Sequence, residues 1–281
     1  MHDANHGSFS SKSWVNKAFG YSLNLIGGNS LSWRIQHNVL HHSFTNVRGL
    51  DEDLEAGNIM RFTPHEPWKP RHKYQHIYAW FLYSFMTFSW VLIKDFKRIT
   101  KYKNLGLLEG QNANYALAIT ILAVSKVVYL TYMIALPLMA GYPVLLVIGG
   151  FMLLHLIAGL LLAMIFQPAH IMEGHEFVGN DVTELDDCYE SHQLKTTSNF
   201  GGKNKLLTWY CGGLNYQVEH HIFPTISHIH YPEISKIVKA TAEEFGVPYR
   251  SVDTFHEALS IHQRTMKKLS QPDYDGSLVM A

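Results

Sequence analysis

Apolar residues are concentrated in two long segments of this chain. Tyr115 to Pro137 has 23 residues and one charge, Lys126, while Tyr142 to Phe166 has 25 residues and no Asp, Glu, Lys or Arg. Roughly 20 apolar residues in a helix cross the hydrocarbon core of a bilayer. The pattern predicts two transmembrane helices, 115–137 and 142–166, and their short loop returns the chain to the side it left. The alternative, two buried core helices of a soluble protein, is disfavoured by the length of both segments.

Two polar side chains lie inside these segments. Lys126 near the middle of the first costs about 3 kcal/mol on insertion scales, so its amine should face protein or reach the interface. His155 lies in the middle of the second. We expect it to make a hydrogen bond between helices, and a place beside a substrate channel is the alternative.

A third apolar stretch, from Ile77 to Ile93, has 17 residues, seven of them aromatic. Its length is marginal for a span, and its aromatic content suits the membrane interface. If it crossed the membrane, the histidine clusters on its two sides would lie on opposite faces. The sequence therefore predicts an interfacial or re-entrant helix over 77–93.

Charge and composition predict the orientation of the chain in the membrane and exclude some classes of protein. The formal net charge is zero, which gives no basic footprint for nucleic acid. Two cysteines give no disulfide framework. Five basic residues precede the first span, and the loop between the spans has none, so the positive-inside rule predicts that the histidine clusters face the cytoplasm. These five are Lys94, Lys97, Arg98, Lys101 and Lys103. The polar N-terminus shows no cleavable signal peptide.

Histidine is the chemical outlier, with 18 residues against 23 lysines and arginines. Three clusters have helical ligand spacing: His2 and His6; His37, His41 and His42; and Gln217, His220 and His221. His170 stands alone. Residues three or four apart share one helix face. Seven clustered imidazoles exceed the three protein ligands of a usual catalytic zinc, so two metals are predicted, although imidazole alone does not select the element. Asp3 and Glu219 are expected to orient imidazoles.

The three boxes, HDANH, HNVLHH and QVEHH, resemble those of the membrane fatty acid desaturases. The string NYQVEHHIFP, with glutamine in place of the first histidine of the third box, is similar to the front-end subgroup. The strings HDANHGS, HNVLHHSFTN and FQPAHIME resemble bacterial linoleoyl-CoA-type desaturases. The similarity runs from residue 1 to about residue 250.

The resemblance implies a site with defined ligands and partners. A di-iron centre would be held by His2, His6, His37, His41, His42, His220 and His221, with His170 as the family's additional histidine. Gln217 would be a further ligand or would support one. The implied reaction uses O2 and two electrons to place a cis double bond in a fatty acyl-CoA or acyl-lipid. No His-Pro-Gly-Gly haem motif occurs in the sequence, so a separate ferredoxin or cytochrome b5 is the expected donor.

The implied fold is all-α: an integral membrane helical bundle, in a bacterial inner membrane, with a cytosolic helical cap that holds the irons. The expected organisation is boxes one and two in 1–76, the interfacial helix 77–93, the transmembrane hairpin 115–137 and 142–166, and the cap with box three in 167–281. Family members carry a transmembrane hairpin before box one. Because His2 follows Met1 directly, we expect Met1 to be an internal methionine of a longer protein.

Two other functions stay open: a di-iron acyl hydroxylase of the same superfamily, and a truncated chain that binds metal without turnover. Among the other histidines, His192 is expected to be a polar neighbour of the site rather than a ninth ligand. The rest are expected at the surface, in solvent or in structural roles: His175, His228 and His230; His65, His72 and His76; His256 and His262. The acidic run Asp51–Glu55 lacks the glycine of a calcium loop and is not predicted to bind calcium.

Overall fold

The computed structural model describes residues 1–182 and 188–276, so parts of the predicted 167–281 region lie outside it. The described ranges are mostly helical with almost no strand, as predicted. Their α-helices are α1 His2–Asn5, α2 Ser13–Gly20, α3 Ser22–Leu25, α4 Ser30–Arg34, α5 Gln75–Ser84, α6 Met86–Ser89, α7 Asp95–Asn104, α8 Tyr115–Leu130, α9 Leu136–Met139, α10 Val144–His170, α11 Tyr189–Thr196, α12 Lys205–Cys211, α13 Gln217–Ile222, α14 Tyr231–Glu244 and α15 Phe255–Leu269.

Shorter elements connect these helices. The π-helices are Ile35–His41, Trp90–Lys94 and Thr131–Ala135, and the 3-10 helices are Pro70–Tyr74, Glu109–Gln111 and His228–His230. Two short parallel strands, β1 Asn199–Phe200 and β2 Ser251–Val252, pair Asn199 with Ser251. The chain forms two compact units. Unit 1 is Met1–Val39 with Phe81–Ala163, and unit 2 is Leu40–Trp80 with Met164–Ala281.

The two predicted apolar segments are helical and longer than predicted. Tyr115–Met139 has 25 residues and Val144–His170 has 27, and both are long and apolar enough to cross a membrane. Only 22% and 17% of their most apolar windows are buried. The alternative of two buried core helices is therefore wrong, because an apolar surface of this extent is not left in water by soluble proteins.

The segment 77–93 is broken rather than one continuous helix. Pro70–Ser84 and Met86–Asn104 form a pair bent by 54°, which would be a third crossing only if the pair made one span. Gly159 of α10 lies against the break. A Cβ at Gly159 would come within 2.4 Å of the Ser84 carbonyl oxygen. The missing side chain therefore lets the backbone at Ser84 approach α10 closely.

Both polar residues of the apolar segments are paired within unit 1. The Lys126 amine donates to Asp95 Oδ2 at 2.7 Å and also to the carbonyl oxygens of Gly27 and Trp90, so it faces protein as predicted. His155 Nε2 lies 2.8 Å from the Tyr129 hydroxyl, which joins α10 to α8 and confirms the predicted interhelical hydrogen bond.

Unit 2 packs around two apolar clusters. One joins the C-terminal end of α10 to α12 and α15 through Ala169, Cys211 and Ala258. The other joins α11, α13 and α14 through Leu194 and Val218. These clusters fix the ends of α10, α11 and α13, the three helices whose polar residues form the site described below.

The close approach at Gly159 predicts that two glycine-to-alanine substitutions in α10 have opposite effects on the stability of the protein. Gly159→Ala should destabilise the protein because the new methyl meets a backbone oxygen that cannot rotate away. A Cβ added at Gly150, also on α10, would have no atom within 4 Å. Gly150→Ala should therefore stabilise the protein by up to about 1 kcal/mol, because alanine has the higher helix propensity. Thermal unfolding in detergent, followed by circular dichroism, should show the two midpoints moving apart. Equal shifts would contradict the packing at the break.

Candidate metal centre

Five histidines of unit 2 converge in what we call the five-histidine cluster: His41, His42, His170, His220 and His221. All five are buried. Two groups of three have ligand nitrogens within 4.8 Å of one another: His41, His170 and His221, and His42, His220 and His221. His221 belongs to both groups. The cluster therefore offers several nitrogen ligands around a small volume.

Three elements bring these side chains together. His170 ends α10, and His220 and His221 lie on α13, which is helical as their spacing predicted. His41 ends a π-helix, Ile35–His41, so the α-helical spacing argument for His37 and His41 does not hold there. π-Helical turns are rare and occur frequently at functional sites because they change the direction of side chains.

His221 shows why the cluster suits a cation. Its Nδ1 lies 2.9 Å from Gln193 Oε1, while its buried Nε2 has no hydrogen-bond partner. Burial, and then the neighbouring imidazoles, hold the pKa of His221 well below its usual range. The ring is therefore neutral, donates Nδ1–H to Gln193 and directs the Nε2 lone pair inward. The Nδ1 of His170 is also buried without a hydrogen-bond partner.

His42 and His220 give a second indication. Their Nε2 atoms lie 3.0 Å apart. Two nitrogens each about 2.1 Å from one metal are separated by about 3.0–3.4 Å at angles of about 90–110°. The observed separation is that of two adjacent ligands of one ion. Neutral imidazole suits Zn, Cu, Fe and Ni alike, so the donor set fits iron without selecting it.

Asp51 orients His41. Its Oδ1 lies 3.0 Å from His41 Nδ1, and its carboxylate also accepts the backbone N–H groups of Asn46 and Asp53, each at 2.9 Å. Burial lowers the pKa of His41, but the Asp51 carboxylate outweighs it and raises that pKa to about 9. A carboxylate on Nδ1 fixes the ring and leaves Nε2 as the atom that would bind a metal. The sequence singled out Asp51 only as part of a rejected calcium loop.

Gln193 and Thr45 form a second support that the sequence did not reveal. Gln193 Nε2 donates to the His42 carbonyl oxygen at 3.0 Å, and its Oε1 accepts from Thr45 as well as from His221. Thr45 Oγ1 also lies 2.7 Å from the His41 carbonyl oxygen, so its one proton is shared between these two acceptors. One glutamine thus ties the backbone of box two to the imidazole of box three.

A three-histidine cluster lies in unit 1, formed by His2, His6 and His37. The ring centroids are 4.7 Å apart for His2 and His6 and 5.0 Å apart for His6 and His37. Trp33 stacks on His37 with a centroid distance of 4.3 Å. Asp3 Oδ1 lies 3.6 Å from His2 Nδ1, which is longer than a hydrogen bond, so the orienting role of Asp3 stays a prediction. Asn38 holds α1 by donating to the Asn5 carbonyl oxygen at 2.9 Å.

The two polar residues predicted beside box three differ in their surroundings. Gln217 is buried and donates to the Leu214 carbonyl oxygen at 2.8 Å. Burial holds the pKa of His170 well below its usual range, and the nearby Gln217 side chain opposes this shift. Glu219 instead accepts from Asn199 at 2.7 Å and from Tyr249 at 2.9 Å. The prediction that Glu219 orients an imidazole is therefore wrong. Burial raises the pKa of Glu219 to about 7 against these two hydrogen bonds.

Several other histidines are less exposed than predicted. His192 is buried, and its Nε2 lies 2.8 Å from the Thr45 carbonyl oxygen, which agrees with a supporting role. His175 is buried rather than superficial, and its two nitrogens lie 2.8 Å from the His170 carbonyl oxygen and 2.6 Å from Ser198 Oγ. His72 is fully buried rather than solvated, with Nε2 3.0 Å from the Asn58 carbonyl oxygen. His262 is structural as predicted, because its Nδ1 bonds the Ile171 carbonyl oxygen.

The helices and the histidine clusters define a class: a helical protein with two helices suited to a membrane and a histidine-rich site suited to metal. Comparison with known proteins agrees. Residues 1–253 match the family model described as fatty acid desaturase. The chain is 36% identical over 269 residues to an sn-1 linoleoyl-lipid 6-desaturase of Arthrospira platensis, covering 96% of this chain and 73% of that protein.

Two further relatives have related names. An sn-1 linoleoyl-lipid 6-desaturase of Synechocystis sp. is 34% identical over 274 residues, covering 96% of this chain and 75% of that protein. An acyl-lipid (8-3)-desaturase of Physcomitrium patens is 34% identical over 281 residues, covering 98% and 57%. No solved structure matches the chain significantly. The chain belongs to the fatty acid desaturase family and is an oxidoreductase.

The hydrogen bonds that Asp51 and Gln193 make to His41 and His221 predict which substitutions should lower the metal affinity of the site. Asp51→Asn removes the charge that holds His41, and Gln193→Leu removes the acceptor for His221 Nδ1, so each should lower metal affinity by about 10- to 100-fold. The measurement is the iron retained by detergent-purified protein after dialysis against a chelator. Asp253→Asn, an exposed carboxylate of unit 2, is the matched control and should retain iron like the unsubstituted chain. Equal retention in all three variants would contradict the proposed support.

Proposed function

We propose that this chain desaturates a fatty acyl chain at a centre of two iron ions held by eight histidines, those of the five- and three-histidine clusters. The observation that carries the proposal is the buried convergence of five imidazoles, with the Nε2 of His221 and the Nδ1 of His170 lacking hydrogen-bond partners. A buried lone pair without a donor is unfavourable unless a cation or proton occupies it. Eight imidazoles are enough for two ions that each keep an open position for O2.

The proposed reaction is –CH2–CH2– + O2 + 2 e⁻ + 2 H⁺ → –CH=CH– + 2 H2O. The methylene hydrogens are not acidic, so acid–base groups alone cannot remove them. Bound iron would supply the activation of O2, and the protein supplies orientation and exclusion of water. Asp51 and Gln193 would hold His41 and His221 in one tautomer each, while the burial of the five-histidine cluster keeps bulk water from the reacting methylenes.

We propose an acyl-lipid as the substrate, with front-end regioselectivity, in which the new cis double bond lies between an existing double bond and the carboxyl end. The relatives named above as linoleoyl-lipid and acyl-lipid desaturases support this choice over an acyl-CoA. The glutamine of the third box, Gln217, supports the front-end assignment, and its proposed role is to position His170. Electrons would come from a ferredoxin or a cytochrome b5.

The proposed topology keeps both halves of the five-histidine cluster on one face of the membrane. His42 precedes the bent pair, and His220 follows both long apolar helices, yet their Nε2 atoms lie 3.0 Å apart. An even number of crossings must then separate them, which favours a re-entrant bent pair over a third span. We propose the cytoplasmic face of a bacterial inner membrane, from the basic residues of 94–103. Arg98 adds little to this count because its guanidinium is buried against Gln36.

The proposed domain organisation keeps the predicted boundaries. Boxes one and two would lie in 1–76 and the cap with box three in 167–281, both at the cytoplasmic face, with the interfacial segment 77–93 between box two and the transmembrane hairpin. Five of the seven aromatic residues of 77–93 are half-buried and Phe81 is exposed, which supports an interfacial position.

The function is tested by product analysis. The chain, expressed with a ferredoxin or cytochrome b5 reductase system in a bacterial host fed linoleate, should yield a fatty acid with one additional double bond toward the carboxyl end, seen by gas chromatography and mass spectrometry. His221→Ala should reduce the new product to background, because His221 belongs to both ligand groups. His256→Ala, an exposed histidine on α15, should leave the product unchanged. A hydroxy acid instead of an alkene would indicate the related hydroxylase, and no product from stable, iron-loaded protein would contradict the proposal.

A further inference from the structure

An open cavity of about 650 Å3 lies in unit 1, in the segment that links α1 to α2. Its volume is within the range of about 300–1,000 Å3 that is usual for small-molecule sites. The lining includes one member of the three-histidine cluster, three serines and two cations: His6, Ser10, Ser11, Ser13, Lys17 and Arg34. Within the described residues, no carboxylate lines the cavity. The cavity therefore carries positive charge directly beside a proposed metal ligand.

Arg34 is the unusual member of this lining. It is half-buried on α4, and its Nη1 donates to Ser30 Oγ at 3.2 Å. Neither Arg34 nor Lys17 has a carboxylate within ion-pair distance in the described residues. Burial lowers the pKa of Arg34, yet a guanidinium stays charged in proteins. A partly desolvated charge without a counter-ion is unfavourable, so a bound anion would be stabilising here.

The loop that forms one wall is held in place. Asn16 is buried, and its amide donates to the carbonyl oxygens of Gly7 and Ser10 at 2.8 and 2.7 Å. Its Oδ1 accepts the backbone N–H of Ser10 at 2.9 Å. The cavity wall between box one and α2 is thus fixed before any ligand binds, which reduces the entropy lost on binding.

The surroundings identify the kind of anion. Phe9 and Phe19 contact each other with ring centroids 4.8 Å apart, and they are 50% and 51% exposed. Trp14, on the same helix as Lys17, is 68% exposed. Exposed aromatic rings next to Lys and Arg are typical of the membrane–water interface, where the rings contact lipid and the cations reach phosphate groups. Phe9 and Trp14 are the chain neighbours of the lining residues Ser10 and Ser13, and their exposure favours a lipid phosphate over a free metabolite.

We propose that this cavity binds the phosphate of a membrane phospholipid and so holds the head group of the substrate beside the metal centre. The second part rests on the proposed function. A front-end desaturase places its double bond only a few carbons from the carboxyl end, so the head group must lie close to the metal ligands. The contribution of His6 to both the cavity wall and the three-histidine cluster meets this requirement. Arg34 would form paired hydrogen bonds with phosphate oxygens, and Lys17 would add a point charge.

Isothermal titration calorimetry tests the proposal on the whole chain in neutral detergent micelles. The probe is dihexanoyl-phosphatidylglycerol, and coenzyme A and an uncharged short-chain galactolipid are compared with it. Lys17→Gln with Arg34→Gln should weaken phospholipid binding at least about tenfold, because two charge-assisted contacts are lost. Arg34→Lys should keep only part of the affinity, because lysine retains the charge but cannot form the paired hydrogen bonds. Arg71→Gln with Lys205→Gln removes the same charge from exposed positions of unit 2 and should have no effect.

Each outcome decides the proposal. Equal phospholipid affinity in the unsubstituted chain and in the Lys17 and Arg34 variant would overturn it, as would an equal loss in the Arg71 and Lys205 control. Binding of coenzyme A in preference to phospholipid would overturn the lipid assignment. Lys17→Gln alone changes an exposed residue and gives a folded variant if Arg34→Gln unfolds the protein; it should still weaken binding several-fold. Binding is measured without iron, donor or turnover, so a chain that binds phospholipid but makes no double bond contradicts only the proposed function.

Discussion

The burial of five imidazoles in one cluster is the constraint on which unit 2 depends. To bind a metal, each ring must be in its neutral form and direct one nitrogen toward the cluster. His41 and His221 each have a polar group behind the ring, Asp51 and Gln193, that fixes the tautomer. A buried polar atom without a partner costs about 1–3 kcal/mol, and the Nε2 of His221 and the Nδ1 of His170 carry this cost as strain. Metal binding would remove that strain, and it would couple the stability of unit 2 to occupancy of the site.

The polar residues around the cluster are arranged to meet this constraint. Asn46 adopts a left-handed conformation with φ 60°, which its short amide tolerates. From there its Nδ2 donates to the carbonyl oxygens of His170 and Glu176, while its backbone N–H donates to Asp51. Asn46 therefore connects the end of α10, the segment around Glu176 that follows it and the carboxylate that orients His41. Gln193 makes the corresponding connection between box two and box three.

Features that depend on a local pattern of residues could be predicted from the sequence. The two long apolar helices, the pairing of Lys126 and the roles of His155 and His262 follow from hydropathy and from the need to satisfy a buried polar group. Close spacing in the sequence also picked out seven of the eight clustered histidines, whereas His170 stood alone and was added only through the family resemblance. The break at Phe85 was not predicted, because it depends on the contact between Ser84 and Gly159, which are 75 residues apart along the chain.

The supporting residues could not be found from spacing. Gln193 lies 28 residues from His221 and 151 residues from His42 in the chain, so only the folded structure joins them. Asp51 lies only nine residues after His42, but the acidic run Asp51–Glu55 resembles a calcium loop more than it indicates a partner for His41. The π-helical turn that ends at His41 also has no simple sequence signal, since the same residues suit an α-helix.

The central claim is that the clustered histidines hold two iron ions, and iron-57 Mössbauer spectroscopy of the purified protein tests it most directly. Protein produced in medium with iron-57 should contain two irons per chain by elemental analysis. Its spectrum should show high-spin sites with nitrogen-rich ligands, and these signals should be lost in His221→Ala. Zinc in place of iron in cells supplied with both metals, or an unchanged spectrum in His221→Ala, would contradict the account.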